Sequence, residues 1–80
     1  MWNVYILECK NKSLYTGITN NLNRRLKEHK QGKGGHYTRS FGANKLIYHE
    51  TYTTKQQALK REAQIKSWTR KKKQALIKRF

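Results

Sequence analysis

The stretch WNVYILE at residues 2–8 is followed, after a polar turn, by LYTGIT at residues 14–19. Side chains in the first stretch alternate with a period of two, which is typical of a β-strand. Two such stretches joined by the polar residues 10–13 predict a β-hairpin. Gly17 weakens the second strand, and a glycine in a strand usually marks a bulge or the close approach of another backbone or a ligand.

A helix is predicted after the hairpin. Asn20 or Asn21 can cap it, and it runs to about Lys30 before Gly32 ends it. Four residues spaced at i, i+3, i+4 and i+7 share one face of this helix. They are Leu22, Arg25, Leu26 and His29. Two polar side chains on that face indicate either a structural ion pair or a site at the rim of the core.

A third strand is predicted over residues 45–52. The residues predicted to share one of its faces are Leu46, Tyr48 and Glu50. Thr54 and Gln57 have the spacing of a capping box, which opens a second helix, and a third helix is predicted over about residues 71–80. The order β-β-α-β-α-α predicts an α+β fold, a small three-stranded antiparallel sheet flanked by three helices. Eighty residues leave room for one domain, residues 1–80.

Charge is the strongest compositional feature. Nineteen Lys and Arg against four acidic residues give a formal net charge of +15. Such an excess repels itself unless a polyanion is the partner, so nucleic acid is predicted, and charge alone leaves open whether it is DNA or RNA. A ribosome-associated or membrane-surface protein is the alternative. No apolar run approaches the ~18 residues needed to cross a membrane, and a single cysteine, Cys9, suits a reducing interior, so a cytoplasmic protein is expected.

Tyr5, Tyr15 and Arg25 stand ten residues apart, on the two arms of the hairpin and on the helix that follows. This arrangement resembles the GIY-YIG nuclease domain, whose signature is two short tyrosine-bearing strands followed by an arginine-bearing helix. The resemblance extends over nearly the whole chain and is closest to the small stand-alone bacterial members. It implies a metal-dependent endonuclease that hydrolyses nucleic-acid phosphodiester bonds, with DNA repair or recombination as its setting. Larger members add a DNA-binding domain, so low sequence specificity, or specificity supplied by a protein partner, is expected here.

Glu62 lies four residues after Ala58 and three before Ile65, which places it on the apolar face of the second helix. A carboxylate there is costly unless it is paired, hydrogen-bonded or bound to a metal. A salt bridge to Arg25 or to a lysine therefore stands beside a metal site. The resemblance implies the metal, because the family's metal-binding glutamate occurs on this helix. No other acid is as well placed, so one metal is expected, Mg²⁺ by preference and Mn²⁺ as a substitute.

The phenols of Tyr5 and Tyr15 have an ordinary pKa of about 10, which nearby cations such as Arg25 and a metal are expected to lower. The resemblance implies that Tyr15 is the general base, that Tyr5 supports it, and that Arg25 holds the scissile phosphate. His29 would assist proton transfer or bind phosphate, unless it is an ordinary hydrogen-bonding residue. From the residues alone, tyrosines on strands are equally explained as half-buried aromatics.

Further residues are predicted to contact the substrate: Gly17, Arg24, Arg39, Lys71, Lys72 and Lys73. The three lysines oppose the helix macrodipole, which favours a phosphate chain facing them and the free backbone amides, although a solvated charge run is the alternative. Many family members carry an asparagine late in the domain, whereas no asparagine follows Asn44 in this chain. Gln74 or another group would have to substitute. Two non-enzymatic hypotheses therefore remain: a nucleic-acid-binding module on the same fold, or a structural basic protein.

Overall fold

The structure is a computed structural model that describes residues 1–9, 12–30 and 43–78, and of residues 29, 30, 43 and 44 only the backbone. Within these ranges three strands and three helices follow one another in the predicted order, β-β-α-β-α-α. The strands are β1 (Trp2–Cys9), β2 (Leu14–Thr19) and β3 (Ala43–Tyr52). The helices are α1 (Leu22–Lys30), α2 (Lys55–Lys66) and α3 (Arg70–Lys78). The predicted α+β class and element order are confirmed. In the part of the chain described, no helix is long and apolar enough to cross a membrane.

The three strands form one antiparallel sheet in the order β2-β1-β3, so β1 is central. A register shift interrupts the pairing of β1 with β3: Ile6 pairs with Tyr48, but Leu7 pairs with Leu46. The extra residue, Ile47, makes β3 bulge at this point. Because partners across a sheet share a face and successive residues alternate, Leu46 faces away from Tyr48. The prediction that these two share a face is therefore wrong, and Ile47 packs against the core instead.

The hydrophobic core lies between one face of the sheet and helices α2 and α3. Its buried members are Val4, Ile6, Tyr48, Ala58 and Ile65. The partly buried side chains packed against them are Trp2, Leu14, Ile18, Ile47, Tyr52, Trp68, Leu76 and Ile77. The opposite face of β1 carries Tyr5, Leu7 and Cys9, each no more than 1% exposed. The central strand is thus buried on both faces, and Tyr5 belongs to the face without α2 and α3.

Side-chain caps fix where the helices begin. Of the two candidate caps for α1, Asn21 is the one used, since its Oδ1 accepts a hydrogen bond at 3.0 Å from the amide three residues on. The predicted capping box of Thr54 and Gln57 is present at the start of α2. Helix α3 begins at residue 70, and the hydroxyl of Thr69 accepts from the Lys72 amide at 3.3 Å. The prediction that the backbone amides of the lysine run are free is wrong for Lys72 and also for Lys73, whose amide donates to the Thr69 carbonyl at 3.0 Å.

Candidate active site

Two phenols meet over a glycine on the face of the sheet that carries Tyr5. Tyr5 pairs with Gly17 across the β1–β2 ladder. The Tyr15 ring lies diagonally across the strands, with its centroid 6.3 Å from that of Tyr5 and the two planes tilted by 37°. A Cβ on residue 17 would lie 2.6 Å from the Tyr5 hydroxyl oxygen and 3.1 Å from the Tyr15 ring. Only a residue without a side chain leaves room for this arrangement.

Arg25 reaches the same place from α1. Its Nε donates a hydrogen bond to the Tyr5 hydroxyl oxygen over 3.4 Å, and its Nη1 lies 3.7 Å from Glu28 Oε2. The Arg25 side chain is 29% exposed, so it faces the buried phenol while part of it reaches solvent. The sequence leaves open a structural ion pair or a site at the rim of the core, and both agree with this geometry, since Arg25 pairs with Glu28 and contacts the buried Tyr5.

The electrostatics of Tyr5 differ from the prediction. Burial raises the pKa of Tyr5 to about 12, and the Arg25 hydrogen bond, which lowers it, does not compensate. The neighbouring charges of Tyr15 and Glu62 raise this pKa further. Arg25 lowers the pKa of Tyr5 as expected of a nearby cation, but desolvation of the phenolate outweighs one guanidinium, so the net shift is upward. Tyr5 remains a neutral phenol at physiological pH.

Glu62 lies on α2 with its side chain 18% exposed, and its carboxylate forms an ion pair with Lys66 Nζ at 3.4 Å. A salt bridge to a lysine, one of the alternatives left open by the sequence, is thus present. Its charge contributes weakly to raising the pKa of Tyr5. Lys66 is 54% exposed and can swing into solvent. A partly exposed carboxylate whose counterion can move away fits a hard cation such as Mg²⁺ or Mn²⁺.

A cavity of about 220 Å³ opens beside Tyr15 and is lined by Leu14, Tyr15, Thr16, Lys66 and Lys73. We call it the Tyr15 cavity. Thr16 is 4% exposed, and its hydroxyl has no hydrogen-bond partner among the described residues. Lys73, predicted to contact substrate, therefore lies close to Tyr15, together with Lys66, which the sequence analysis did not select.

Three of the other predicted substrate contacts lie within the described residues: Arg24, Lys71 and Lys72. Arg24 is 64% exposed and pairs with Glu28 at 3.5 Å. Lys71 is exposed, and Lys72 holds its Nζ 4.6 Å above the centroid of the Trp68 ring. The side chain of His29 and the whole of Arg39 lie outside the described residues.

One polar cluster was missed. Glu50 of β3 accepts hydrogen bonds from the phenols of Tyr48 and Tyr52 and from Nε and Nη2 of Arg61, both at 3.0 Å. Burial raises the pKa of Glu50, but Arg61 and the two phenols outweigh it and hold that pKa below its ordinary value. Arg61 directly precedes Glu62, so this cluster ties α2 to β3 next to the candidate site. Tyr-x-Glu-x-Tyr on a strand was the available signal.

Fold and site together define a GIY-YIG catalytic domain. The family model described as "GIY-YIG catalytic domain" matches residues 1–75, and the chain belongs to this family. Membership indicates nuclease chemistry and a nucleic-acid substrate at the level of the family.

The similar proteins are small and bear the name UPF0213. One from Clostridium perfringens is 53% identical over 74 residues, which cover 92% of this chain and 80% of the relative. One from Bacillus pumilus is 48% identical over 73 residues, covering 91% and 74% respectively. The solution NMR structure of UPF0213 protein BH0048 from Bacillus halodurans has 42% identity and a TM-score of 0.63, covering 98% of this chain and 84% of that one. The resemblance to small stand-alone members is confirmed.

Proposed function

We propose that this protein is a metal-dependent endonuclease that hydrolyses phosphodiester bonds in nucleic acid, DNA by preference, with low intrinsic sequence specificity. One observation carries the proposal: the Tyr5 hydroxyl oxygen lies over Gly17 and accepts a hydrogen bond from Arg25 Nε at 3.4 Å, with the Tyr15 ring centroid 6.3 Å from that of Tyr5. Side chains from β1, β2 and α1 therefore converge on one point. Tyrosines that served only as half-buried strand aromatics would not require an arginine beside them.

The two phenols take different roles. Tyr5, with a pKa of about 12, keeps its proton and holds the Arg25 guanidinium through its hydroxyl oxygen. Tyr15 is half-buried at a solvent-connected cavity, and once its own phenolic proton has passed to solvent, its phenolate takes the proton of the attacking water as the general base. Arg25 binds the scissile phosphate with its exposed side and stabilises the charge that develops during displacement.

The divalent cation would be held by Glu62, with water and substrate phosphate completing its ligands. When bound, it supplies positive charge that stabilises the leaving oxygen. Lys66 would then no longer pair with Glu62, and because it also lines the Tyr15 cavity it would pair with a substrate phosphate bound there.

The test is cleavage of labelled single-stranded, duplex and branched DNA with Mg²⁺ or Mn²⁺, with an EDTA control. Glu62→Gln and Tyr15→Phe each remove one functional group at nearly constant shape, and we expect both to lose at least 100-fold in rate. Lys60→Ala, an exposed change on the same helix, serves as the control and should retain the rate. Equal cleavage by all four proteins, or none on any substrate, would contradict the proposal.

The alternative is a nucleic-acid-binding module that cuts nothing. One observation favours it: Gln74, the candidate substitute for the family's late asparagine, lines a different cavity, with Arg70 and Lys45. Tight binding of all three DNA forms without cleavage would establish this reading. For either function we place the protein in the cytoplasm, where the buried free thiol of Cys9 stays reduced, with any target choice left to a protein partner.

A further inference from the structure

A second cavity, about 360 Å³ in volume, lies beside the Tyr15 cavity at the end of the β1–β2 hairpin. We call it the hairpin cavity. Leu14 lines both cavities, so the two adjoin. The Arg70 guanidinium donates a hydrogen bond to the Lys12 carbonyl at 2.5 Å, which holds the start of α3 against the hairpin turn.

The cations along these cavities follow one face of α3. Arg70, Lys73 and Lys78 line the cavities together with Gln74 and Ile77, at the spacing of a single helical face. Lys66 adds a charge at one end and Lys45 at the other. Among the described lining residues five cations face a single carboxylate, that of Glu8. The three lysines of the run therefore differ in position: Lys73 lines the Tyr15 cavity, whereas Lys71 and Lys72 line neither cavity.

The hairpin cavity also has an apolar wall. Leu14, Ile47 and Ile77 come from three different elements, and Gln74 places an amide beside them. A duplex presents sugars and phosphates on its outside and does not match such a wall. An unstacked base does, because its faces are apolar while its edge takes hydrogen bonds. The amide of Gln74 can both donate to and accept from that edge.

We propose that a nucleic-acid strand follows this face of α3 from the Tyr15 cavity to Lys78, with one base turned out into the hairpin cavity. The direction assigned to the strand rests on the proposed function, which places the scissile phosphate at Tyr15. The chemistry recognised is phosphate beside Lys66, Lys73, Arg70 and Lys78, and one base against the apolar wall.

The first experiment measures binding of a short single-stranded DNA by fluorescence anisotropy between 50 and 300 mM salt in EDTA, so that no cleavage intervenes. Arg70→Gln/Lys78→Gln is compared with Lys27→Gln/Lys60→Gln, which removes the same charge from exposed positions of α1 and α2. The slope of log K against log salt should become shallower by about 1.4 in the first pair, from about 0.7 per lost phosphate contact. It should stay at the wild-type value in the second. Equal slopes in both pairs would overturn the proposed path, because net charge alone would then explain binding.

The second experiment tests the base pocket with an abasic oligonucleotide of equal length, which keeps every phosphate. Wild type should bind it several-fold more weakly than the base-bearing strand, at the same salt slope. Gln74→Ala should weaken binding of the base-bearing strand only, whereas the exposed control Gln56→Ala should weaken neither. Equal affinity of wild type for both oligonucleotides would overturn the base pocket. Thermal melting confirms that each variant is folded, and Arg70→Lys/Lys78→Arg should restore the slope.

The strand path and the nuclease proposal can be contradicted separately. If the two double variants show the same salt slope while the wild type cleaves DNA, the strand path is wrong and the nuclease proposal stands. If only Arg70→Gln/Lys78→Gln has a shallower salt slope and the wild type cleaves nothing, the strand path stands and the nuclease proposal is wrong.

Discussion

Gly17→Ala is the sharpest test of how the two phenols are packed. The new Cβ would lie 2.6 Å from the hydroxyl oxygen of Tyr5, 2.8 Å from its Cζ and 3.1 Å from the Tyr15 ring. Tyr5 is 1% exposed, so its ring has little room to move aside. Overpacking of this kind costs about 1–3 kcal/mol, while replacing a strand glycine by alanine returns about 0.5–1 kcal/mol. The difference spans about 0–2.5 kcal/mol, and because a contact of 2.6 Å is severe and Tyr5 is buried we expect its upper part, about 1–2.5 kcal/mol, or a Tm lower by roughly 5–20 °C in a domain of this size.

The assay combines thermal melting with cleavage. Displacing Tyr5 and Tyr15 by a fraction of an ångström to an ångström should lower the cleavage rate by roughly 100-fold. The same alanine in a Tyr5→Phe background provides the control, because the atom nearest to the new Cβ is gone. There the alanine should cost measurably less stability than in the wild type. A Gly17→Ala protein with wild-type Tm, or an equal cost in both backgrounds, would refute the close packing at Gly17.

Three further predictions concern neighbouring groups. Lys66→Met should tighten Mn²⁺ binding to the free protein several-fold, since the carboxylate of Glu62 loses its counterion. An unchanged Mn²⁺ affinity by calorimetry would argue that Lys66 and the ion do not compete for Glu62. Arg61→Met should lower the unfolding free energy in urea by about 2–3 kcal/mol, because it leaves Glu50 half-buried without its cation; a loss below about 0.5 kcal/mol would contradict this. Because the folded pKa of Tyr5 is raised from 10 to about 12, its contribution to stability is complete below pH 10 and is lost as pH rises towards 12. Tyr5→Phe should flatten that alkaline decline in denaturation curves taken between pH 9 and 11.5, and an unchanged slope would exclude Tyr5 as its source.

The fold was predictable where the signals are local. Strand alternation, the capping box and the polar turn each depend on residues within a few positions of one another, and the element order followed from them. The bulge in β3 was not predictable, because it depends on how Leu46 and Ile47 align with Leu7 and Ile6 on a distant strand. Sequence alternation alone assumes a register without interruption.

In the candidate site, too, the features that depend on local spacing were predictable and those that depend on tertiary packing were not. The spacing of Tyr5, Tyr15 and Arg25 was enough to predict that they meet. The Lys66 partner of Glu62 has an i, i+4 spacing that could have been found. The sequence indicates correctly that Arg25 lowers the pKa of Tyr5, but it does not reveal the burial that raises this pKa to about 12. No local pattern links Glu50 to Arg61, eleven residues later.

The distribution of carboxylates has a consequence for how metal and substrate bind. The chain has four: Glu28 pairs with the arginines of α1, Glu50 is held by Arg61, Glu8 lines the hairpin cavity, and Glu62 pairs with Lys66. On the proposed function, one carboxylate already paired to a lysine would hold Mg²⁺ weakly, so substrate phosphate would have to supply further ligands. By linkage, an uncleavable phosphorothioate strand should raise Mn²⁺ affinity by the same factor by which Mn²⁺ raises affinity for the strand. Mn²⁺ titrations with and without the strand, and strand titrations with and without Mn²⁺, measure both factors, and Glu62→Gln should bring each to one. Factors of one in the wild type would mean that the ion and the phosphate do not share a site, and the role assigned to Glu62 would be wrong.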